Sequence, residues 1–340
     1  MARVLVTGGA GFIGSHLAHA LVERGHAVVV LDDLSGGVRS RVPDTAELAV
    51  GSVADEAFVE DVFASYPFEG IFHLAAFAAE GISHAVKKLN YTTNVLGSIH
   101  LINAALRTGV RVFGFASSVA VYGHGRAPMR ESDVAVPADS YGNAKLTVER
   151  ELDVTMRMQN LPFFAIRMHN VYGEWQNMRD PYRNAVAIFL NQIMRQEPIT
   201  VYGDGRQVRA FTYVGDIVDT LIACATNPAT WGHALNVGSA TPSTLLRLAE
   251  QVRLAMGVPD HPIVHLPARD EVRQAYTDSS RARTLLGDWP ETSLEDGIAR
   301  TAAWARTQGP AELADTLTLE VPVPETADWV GWISRRLVQQ

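Results

Sequence analysis

A short apolar run, Val4-Leu5-Val6, leads directly into Thr7-Gly8-Gly9-Ala10-Gly11-Phe12-Ile13-Gly14 and then into a segment with helical spacing. Three glycines between a strand and a helix leave few options. Gly8 suits a tight turn, Gly11 lets backbone approach a pyrophosphate, and Gly14 lets the helix pack closely on the strand. The helix start also presents unpaired N–H groups and a positive dipole end to an anion. The next apolar run ends at Asp32, at about the 20-residue separation the fingerprint requires. A carboxylate there accepts both ribose hydroxyls and repels a 2′-phosphate, so the pattern predicts NAD rather than NADP as cofactor.

The rhythm beyond the fingerprint agrees with it. Arg3–Val6, Ala27–Leu31, Gly70–Leu74, Val110–Ala116 and Pro162–Arg167 read as strands rich in Val, Ile, Leu and Phe. Between them, Phe12–Arg24, Asp55–Ser65, Leu89–Arg107 and Tyr141–Gln159 carry the 3.6-residue period of helices. Apolar strands alternating with helices predict an α/β fold, a doubly wound parallel sheet of Rossmann type covered on both faces. After about residue 170 proline, glycine and tryptophan break the rhythm. The expected organisation is a dinucleotide-binding domain over 1–170, to which 208–238 returns. A smaller α/β substrate lobe is expected over 171–207 and 239–310, and a C-terminal extension over 311–340. Trp329–Leu337 reads as a tail helix.

Composition removes several classes of function. The 340 residues carry a formal net charge of −8 and no long basic run, which argues against a nucleic-acid partner. No stretch of about 18 apolar residues appears, so no membrane span is expected. Cys224 is the single cysteine, which excludes an intramolecular disulfide; its apolar surroundings mark it as a buried small hydrophobe. The first residues read as a strand rather than a secretion signal, and a cytoplasmic location is expected. His261 and His265 have HxxxH spacing, but Pro262 and Pro267 argue against a helix there, and no metal site is expected.

The chemistry concentrates after the fourth expected strand. Ser117-Ser118-Val119-Ala120-Val121-Tyr122-Gly123 follows it, and Tyr141-Gly142-Asn143-Ala144-Lys145 comes about 20 residues on. Tyr141 and Lys145, four apart, share one helix face. An ammonium beside a phenol, with a cationic oxidised nicotinamide nearby, favours the phenolate. Such a phenolate takes a hydroxyl proton while a hydride leaves the same carbon, with Ser118 hydrogen-bonded to the same oxygen.

With these pieces in place, the chain resembles the extended short-chain dehydrogenase/reductase family, in its nucleotide-sugar epimerase and dehydratase branch. The matching blocks include TGGAGFIGSHL at 7–17, DDLSGG at 32–37, HLAA at 73–76, NVLG at 94–97, SSVAVYG at 117–123, YGNAK at 141–145 and HNVYG at 169–173. VYGDGRQVRAFTYVGD at 201–216 and RDEV at 269–272 continue the series in family order, whereas 310–340 match nothing. The resemblance implies NAD contacts from Gly8, Gly11, Phe12, Ile13, Gly14, Asp32, Asp33, Ala75, Ala76, Asn94, Tyr141 and Lys145. It implies Tyr141, Lys145 and Ser118 as catalytic residues. A nucleotide-diphosphate sugar would be held by Ser118, Asn170, Asn184, Tyr202 and the arginines Arg209 and Arg269, with Ala275 beside the sugar's C2 group. It further implies a homodimer formed by the helices near 89–107 and 141–158.

Departures from the family pattern narrow the reaction. Ser52 stands where many relatives carry an aspartate near adenine, Ala78 replaces a lysine, and Ala78-Ala79-Glu80-Gly81 is not the usual sugar-facing stretch. Val119 and Ala120 occupy positions where 4,6-dehydratases carry Asp-Glu and decarboxylating members a glutamate. Without that carboxylate no base is available for the C5 proton. The expected activity is C4 epimerisation of a nucleotide sugar, UDP-glucose and UDP-galactose or their N-acetylhexosamine counterparts, through a transient 4-keto sugar. A nucleotide-sugar dehydrogenase or ketoreductase, or a noncatalytic NAD-binding protein of the same fold, are the alternatives.

Overall fold

The computed structural model of the chain describes residues 2–180, 184–268, 272–289, 291–313 and 317–322. Strands β1 (Arg3–Thr7), β2 (Ala27–Asp32), β3 (Glu47–Val50), β4 (Gly70–His73), β5 (Val112–Ser118) and β6 (Phe163–Met168) alternate with helices in the first half. The helices are α1 (Phe12–Glu23), α2 (Glu56–Ser65), α3 (Lys87–Tyr91), α4 (Gly97–Thr108) and α5 (Ser140–Gln159). Short strands β7 (Val171–Tyr172), β8 (Ile199–Tyr202), β9 (Val208–Ala210) and β10 (Thr212–Tyr213) follow, then β11 (His233–Val237), β12 (Pro242–Thr244), β13 (Ile263–Leu266) and β14 (Gln274–Ala275). Among them lie α6 (Ala185–Met194), α7 (Val214–Thr226), α8 (Leu245–Met256), α9 (Ser280–Leu286) and α10 (Leu294–Gln308).

The central sheet has seven parallel strands in the order β11-β6-β5-β4-β1-β2-β3. Its inner strands are largely apolar because both faces are covered. On one face α2, α4 and α5 pack Val59, Leu101, Val148 and Leu152 against Phe113 and Phe115. On the other, α1 and α7 pack Leu17, Leu21, Ile217 and Leu221 against Val4, Val6 and Phe164. Burying an aromatic such as Phe115 contributes about 1.5–3 kcal/mol. The strand order reverses between β1 and β4, which lie in register with Thr7 opposite His73. Their carboxyl ends therefore open the crevice in which this fold places its ligands.

A third apolar cluster joins α6, α8 and α10 through residues such as Leu190, Leu248 and Ile298. Here β9 pairs antiparallel with β12 and parallel with β14, while β13 runs parallel to β8.

Three local features differ from the sequence expectation. Strand β3 was not anticipated: it is an edge strand with Glu47 and Val50 exposed, so it lacks an apolar signature. The helical pattern near 89–107 is interrupted by a π-helical segment, Thr92–Leu96, and begins earlier, at Lys87. Asp55, expected as helical, is instead the N-cap of α2, accepting from Phe58 N at 3.1 Å. The expected Trp329–Leu337 helix lies outside the described residues. Cys224 is fully buried, and burial pushes its thiol up to about 12. His265 lies in strand β13 and His261 just before it, each hydrogen-bonded to a backbone carbonyl. No group of metal-binding side chains, and no helix long and apolar enough to cross a membrane, occurs among the described residues.

Candidate active site

The glycine turn sits at the sheet's reversal point. Gly8 adopts φ +69°, and a Cβ there would lie 2.7 Å from Ala75 N at the end of β4. A side chain at Gly14 would collide with the Gly8 carbonyl, so α1 approaches the turn as closely as backbone permits. Helix α1 starts after Gly11 with no side-chain cap, leaving Phe12 and Ile13 in its uncapped first turn. Asp32 is buried; its two carboxylate oxygens accept from Leu34 N at 2.8 Å and Ala10 N at 3.0 Å. Burial raises its carboxyl above the ordinary value, and these backbone hydrogen bonds oppose the rise. Each oxygen keeps acceptor capacity for a ribose hydroxyl. Asp33 is exposed and closes a local turn onto Ser35 N at 2.9 Å. The side-chain-free cradle, the uncapped helix and the Asp32 carboxylate together fit a dinucleotide.

Behind this turn runs a buried hydrogen-bond chain. Ala75 N donates to Thr7 Oγ1 at 3.2 Å, Thr7 Oγ1 lies 2.7 Å from His73 Nδ1, and His73 Nε2 lies 2.8 Å from Ser98 Oγ. Ser98 Oγ donates to Asn94 O at 2.7 Å. One tautomer satisfies the chain: Ser98's proton goes to Asn94, so His73 donates through Nε2 and accepts through Nδ1. Burial lowers the His73 imidazole to about 3, in keeping with a permanently neutral ring. Asn94, within the π-helical segment, holds the backbone of Phe77 from both sides, accepting from its N at 2.8 Å and donating to its O at 2.9 Å. Ala75 and Phe77 are thereby fixed beyond the β4 end, with Ala75 against the glycine turn.

Helix α5 carries Tyr141 and Lys145, the pair expected to react. Asp139 caps it by accepting from Gly142 N at 2.8 Å, so the first turn begins at Ser140 and Tyr141. Tyr141 is half-buried, whereas Lys145 is 2% exposed. Lys145 Nζ donates to Ala116 O at 2.8 Å and lies 4.8 Å from the Phe115 ring centroid and 5.7 Å from that of Tyr141. Burial lowers the Lys145 ammonium to about 7, with Glu149 opposing. Ser118 ends β5 and accepts from Ala120 N at 3.1 Å, which aims its hydroxyl from the strand's carboxyl end.

The residues expected on the sugar-nucleotide side are spread over the second half. Asn170, at φ +41°, donates to Ala210 O at 3.1 Å. Asn184 caps α6, accepting from Val186 N at 3.2 Å and donating to Val171 O at 2.9 Å. Tyr202 ends β8, just before Gly203 at φ +65°. Arg209 on β9 stands opposite Ala275 on β14, and Ala275 packs against Val121, Tyr122, Met129 and Leu146. Arg269 lies outside the described residues.

Sequence reasoning missed a buried ionic network next to the pair. Glu149, one turn beyond Lys145, receives Arg167 on both oxygens, with Nη2 to Oε2 at 2.6 Å and Nε to Oε1 at 3.0 Å, and also accepts from Ser117 Oγ. Arg167 Nη1 donates to Tyr122 Oη at 2.7 Å, and Tyr122 donates to Asn236 Oδ1 at 2.8 Å. The available signal was a charged residue inside the apolar run Phe163–Met168, because a charge in a covered strand requires a partner.

Comparison with known proteins gives the family. Residues 4–238 match the NAD dependent epimerase/dehydratase family, and the chain belongs to that family, whose cofactor is NAD. It is 35% identical to the UDP-glucose 4-epimerase of Mycolicibacterium smegmatis, across 90% of this chain and 99% of the relative. It is 30% identical to a UDP-N-acetyl-alpha-D-glucosaminuronate decarboxylase of Bacillus cytotoxicus, across 89% and 98%. Among solved structures, UDP-glucose 4-epimerase of Thermotoga maritima with UDP-glucose superimposes with a TM-score of 0.86 at 32% identity, covering 90% of this chain and 99% of that one. The chain is thus a nucleotide-sugar epimerase/dehydratase-type protein with a Rossmann-like core.

Proposed function

We propose that the protein interconverts the C4 epimers of a UDP-hexose. The observation that carries this reading is the Tyr141–Lys145 pair at the sheet's carboxyl edge, on the side of the strand-end serine Ser118. Tyr141 is positioned to take the C4 hydroxyl proton, because a nearby ammonium stabilises the phenolate. Ser118 donates to the same oxygen and holds it against the phenol. Bound NAD supplies a hydride acceptor and then a hydride donor at C4. After the 4-keto sugar turns over in the pocket, Tyr141 returns the proton to the new C4 oxygen. Lys145 places its buried Nζ beside the phenol; burial lowers its ammonium to about 7, and Glu149 opposes that loss of charge.

The sequence of the turn after β5 favours epimerisation over its family alternatives. Val119 and Ala120 carry no carboxylate, so this turn offers no base for the C5 proton that dehydration requires. The UDP-glucose bound by the Thermotoga relative supports a UDP-sugar substrate. Arg209 and Arg269 suit the diphosphate because their planar forks match its oxygens. Exposed Leu89, Leu96, Val154 and Met158 on the α3–α4 and α5 faces support a homodimer built on those helices.

The test is incubation of purified protein with UDP-glucose, UDP-galactose, their N-acetylhexosamine counterparts, and dTDP-, GDP- and CDP-sugars without added NAD. Epimer formation resolved by chromatography is expected with a UDP-sugar. Carbon dioxide release, a dehydrated product, or net NADH production in its place refutes the reading. Light scattering of the same preparation is expected to give twice the mass of one chain, and a monomer mass refutes the dimer.

A further inference from the structure

Helix α3 begins without a cap of its own. The residue at its N-cap position is Val86, which makes no side-chain cap hydrogen bond, and the first helical residues are two exposed lysines, Lys87 and Lys88. Both features are unfavourable, since helix N-termini want an acceptor and a negative charge. The acceptor comes from 232 positions away in the chain. Glu320 Oε2 accepts from Lys88 N at 2.7 Å, and Glu320 Oε1 accepts from Leu89 N at 2.8 Å. These are the second and third helical amides, which an N-cap side chain normally serves. The backbone is tied as well: Glu320 N and Val321 N both donate to Ala85 O, at 2.9 and 3.3 Å.

What α3 holds explains why this matters. The residue after Leu89 is the fully buried Asn90, whose Nδ2 donates to Ser140 O at 2.9 Å, the carbonyl preceding Tyr141. Asn90 Oδ1 accepts from Asn94 Nδ2 at 2.8 Å, and Asn94 is the residue that fixes Phe77 at the end of β4. The neighbouring turn is engaged too, since Ser83 Oγ lies 3.5 Å from Asp139 Oδ1, the cap of α5. Hydrogen bonds therefore tie Glu320 to the first turn of α3, and Asn90 in that turn to the carbonyl preceding Tyr141.

We propose that Glu320 is a positioning residue for Tyr141: it caps α3 in place of a local residue and so fixes Asn90 against Ser140. The inference rests on the proposed role of Tyr141 for its effect on turnover, but not for its effect on structure. It also assigns a task to a segment that carries none of the family's sequence blocks.

The test compares Glu320→Ala with the unsubstituted protein, and with Glu320→Ala combined with Lys87→Glu. The second change places an acid at the exposed helix start, where it complements the free amides. The single variant is expected to lose about tenfold in kcat at a temperature well below its melting, since small misplacements of reacting groups are costly. KM and bound NAD are expected to stay unchanged, and Lys87→Glu is expected to restore part of the loss. Hydrogen exchange is read in parallel. Faster exchange is expected at Lys88–Asn90 and at 140–144, with β5 unaffected, because loosened caps open locally. Unchanged kcat, or faster exchange confined to Lys88 and Leu89, overturns the proposal. If the unsubstituted protein epimerises no nucleotide sugar, the proposed function fails while the exchange comparison still decides the positioning role.

Discussion

Lys145 stands on the face of Tyr141, its Nζ 5.7 Å from the ring centroid and anchored by the Ala116 carbonyl at 2.8 Å. The same ammonium lies 4.8 Å from the Phe115 ring centroid, so it sits between the two rings. On the proposed mechanism the phenol is the group whose ionisation the lysine favours. Replacement of Tyr141 by Phe is expected to lower turnover by about 10²–10⁴-fold, the usual worth of a positioned acid–base group. Bound NAD, measured after denaturation, is expected to remain, because the hydroxyl acts on substrate. Near-normal turnover in the variant removes Tyr141 from the chemistry.

The Glu149–Arg167 pair is buried on both sides, with side-chain exposures of 6% and 8%. Glu149→Gln leaves the guanidinium uncompensated, and a loss of about 3–5 kcal/mol in unfolding free energy is expected. The double variant Glu149→Leu, Arg167→Met removes both charges and is expected to recover most of that loss. Urea unfolding checks both. If the double variant is as unstable as the single one, the penalty does not come from the unpaired charge.

Acid sensitivity follows from two buried histidines. Burial lowers His73 to about 3 and His169 to about 4, against 6.5 for an unfolded histidine. Between pH 6.5 and those values the unfolded chain binds the protons and the folded one does not. The stability contributed by the neutral rings is complete above pH 6.5 and falls as the pH drops, by about 1.4 kcal/mol per pH unit for each ring. Unfolding free energies measured from pH 7 to 5 are expected to show the uptake of about two protons from this source. His73→Gln is expected to reduce the uptake by one. An unchanged slope in that variant shows that His73 is already protonated in the folded state.

Much of this was legible before any coordinates, and the reasons are physical. Strands β1, β2, β4, β5 and β6 were visible because a sheet covered on both faces demands unbroken apolar runs. The glycine turn and the Tyr141–Lys145 spacing were visible because each is a local pattern. Edge strand β3 was not, since its exposure leaves it polar. The π-helical turn at Thr92–Leu96 carries no periodic signal, and Asn94 is seen to grip Phe77 only when β4 lies beside it. Arg167 was readable as a charge needing a partner, but which partner depends on how α5 crosses β6. Glu320 was invisible for the opposite reason from Gly8: its helix is 232 positions away, and Val86 gives no hint that a cap exists.

Pocket selectivity is expected at Ala275, which faces Arg209 across the β9–β14 pairing. A methyl group there leaves room for a C2 N-acetyl substituent, whereas Ala275→Tyr overlaps it and close-packed walls cannot relieve the clash cheaply. The variant is expected to lose UDP-N-acetylglucosamine turnover selectively relative to UDP-glucose, as judged by kcat/KM for the two. An unchanged ratio places the gate elsewhere.

In the proposed reaction one hydrogen leaves C4 and returns to it without exchanging with water or leaving the protein. UDP-glucose carrying deuterium at C4, incubated in ordinary water without added NAD, tests this directly by mass spectrometry of the separated epimers. UDP-galactose with deuterium retained at C4 is expected. Epimer formed without the label, or label recovered in released NADH, contradicts it.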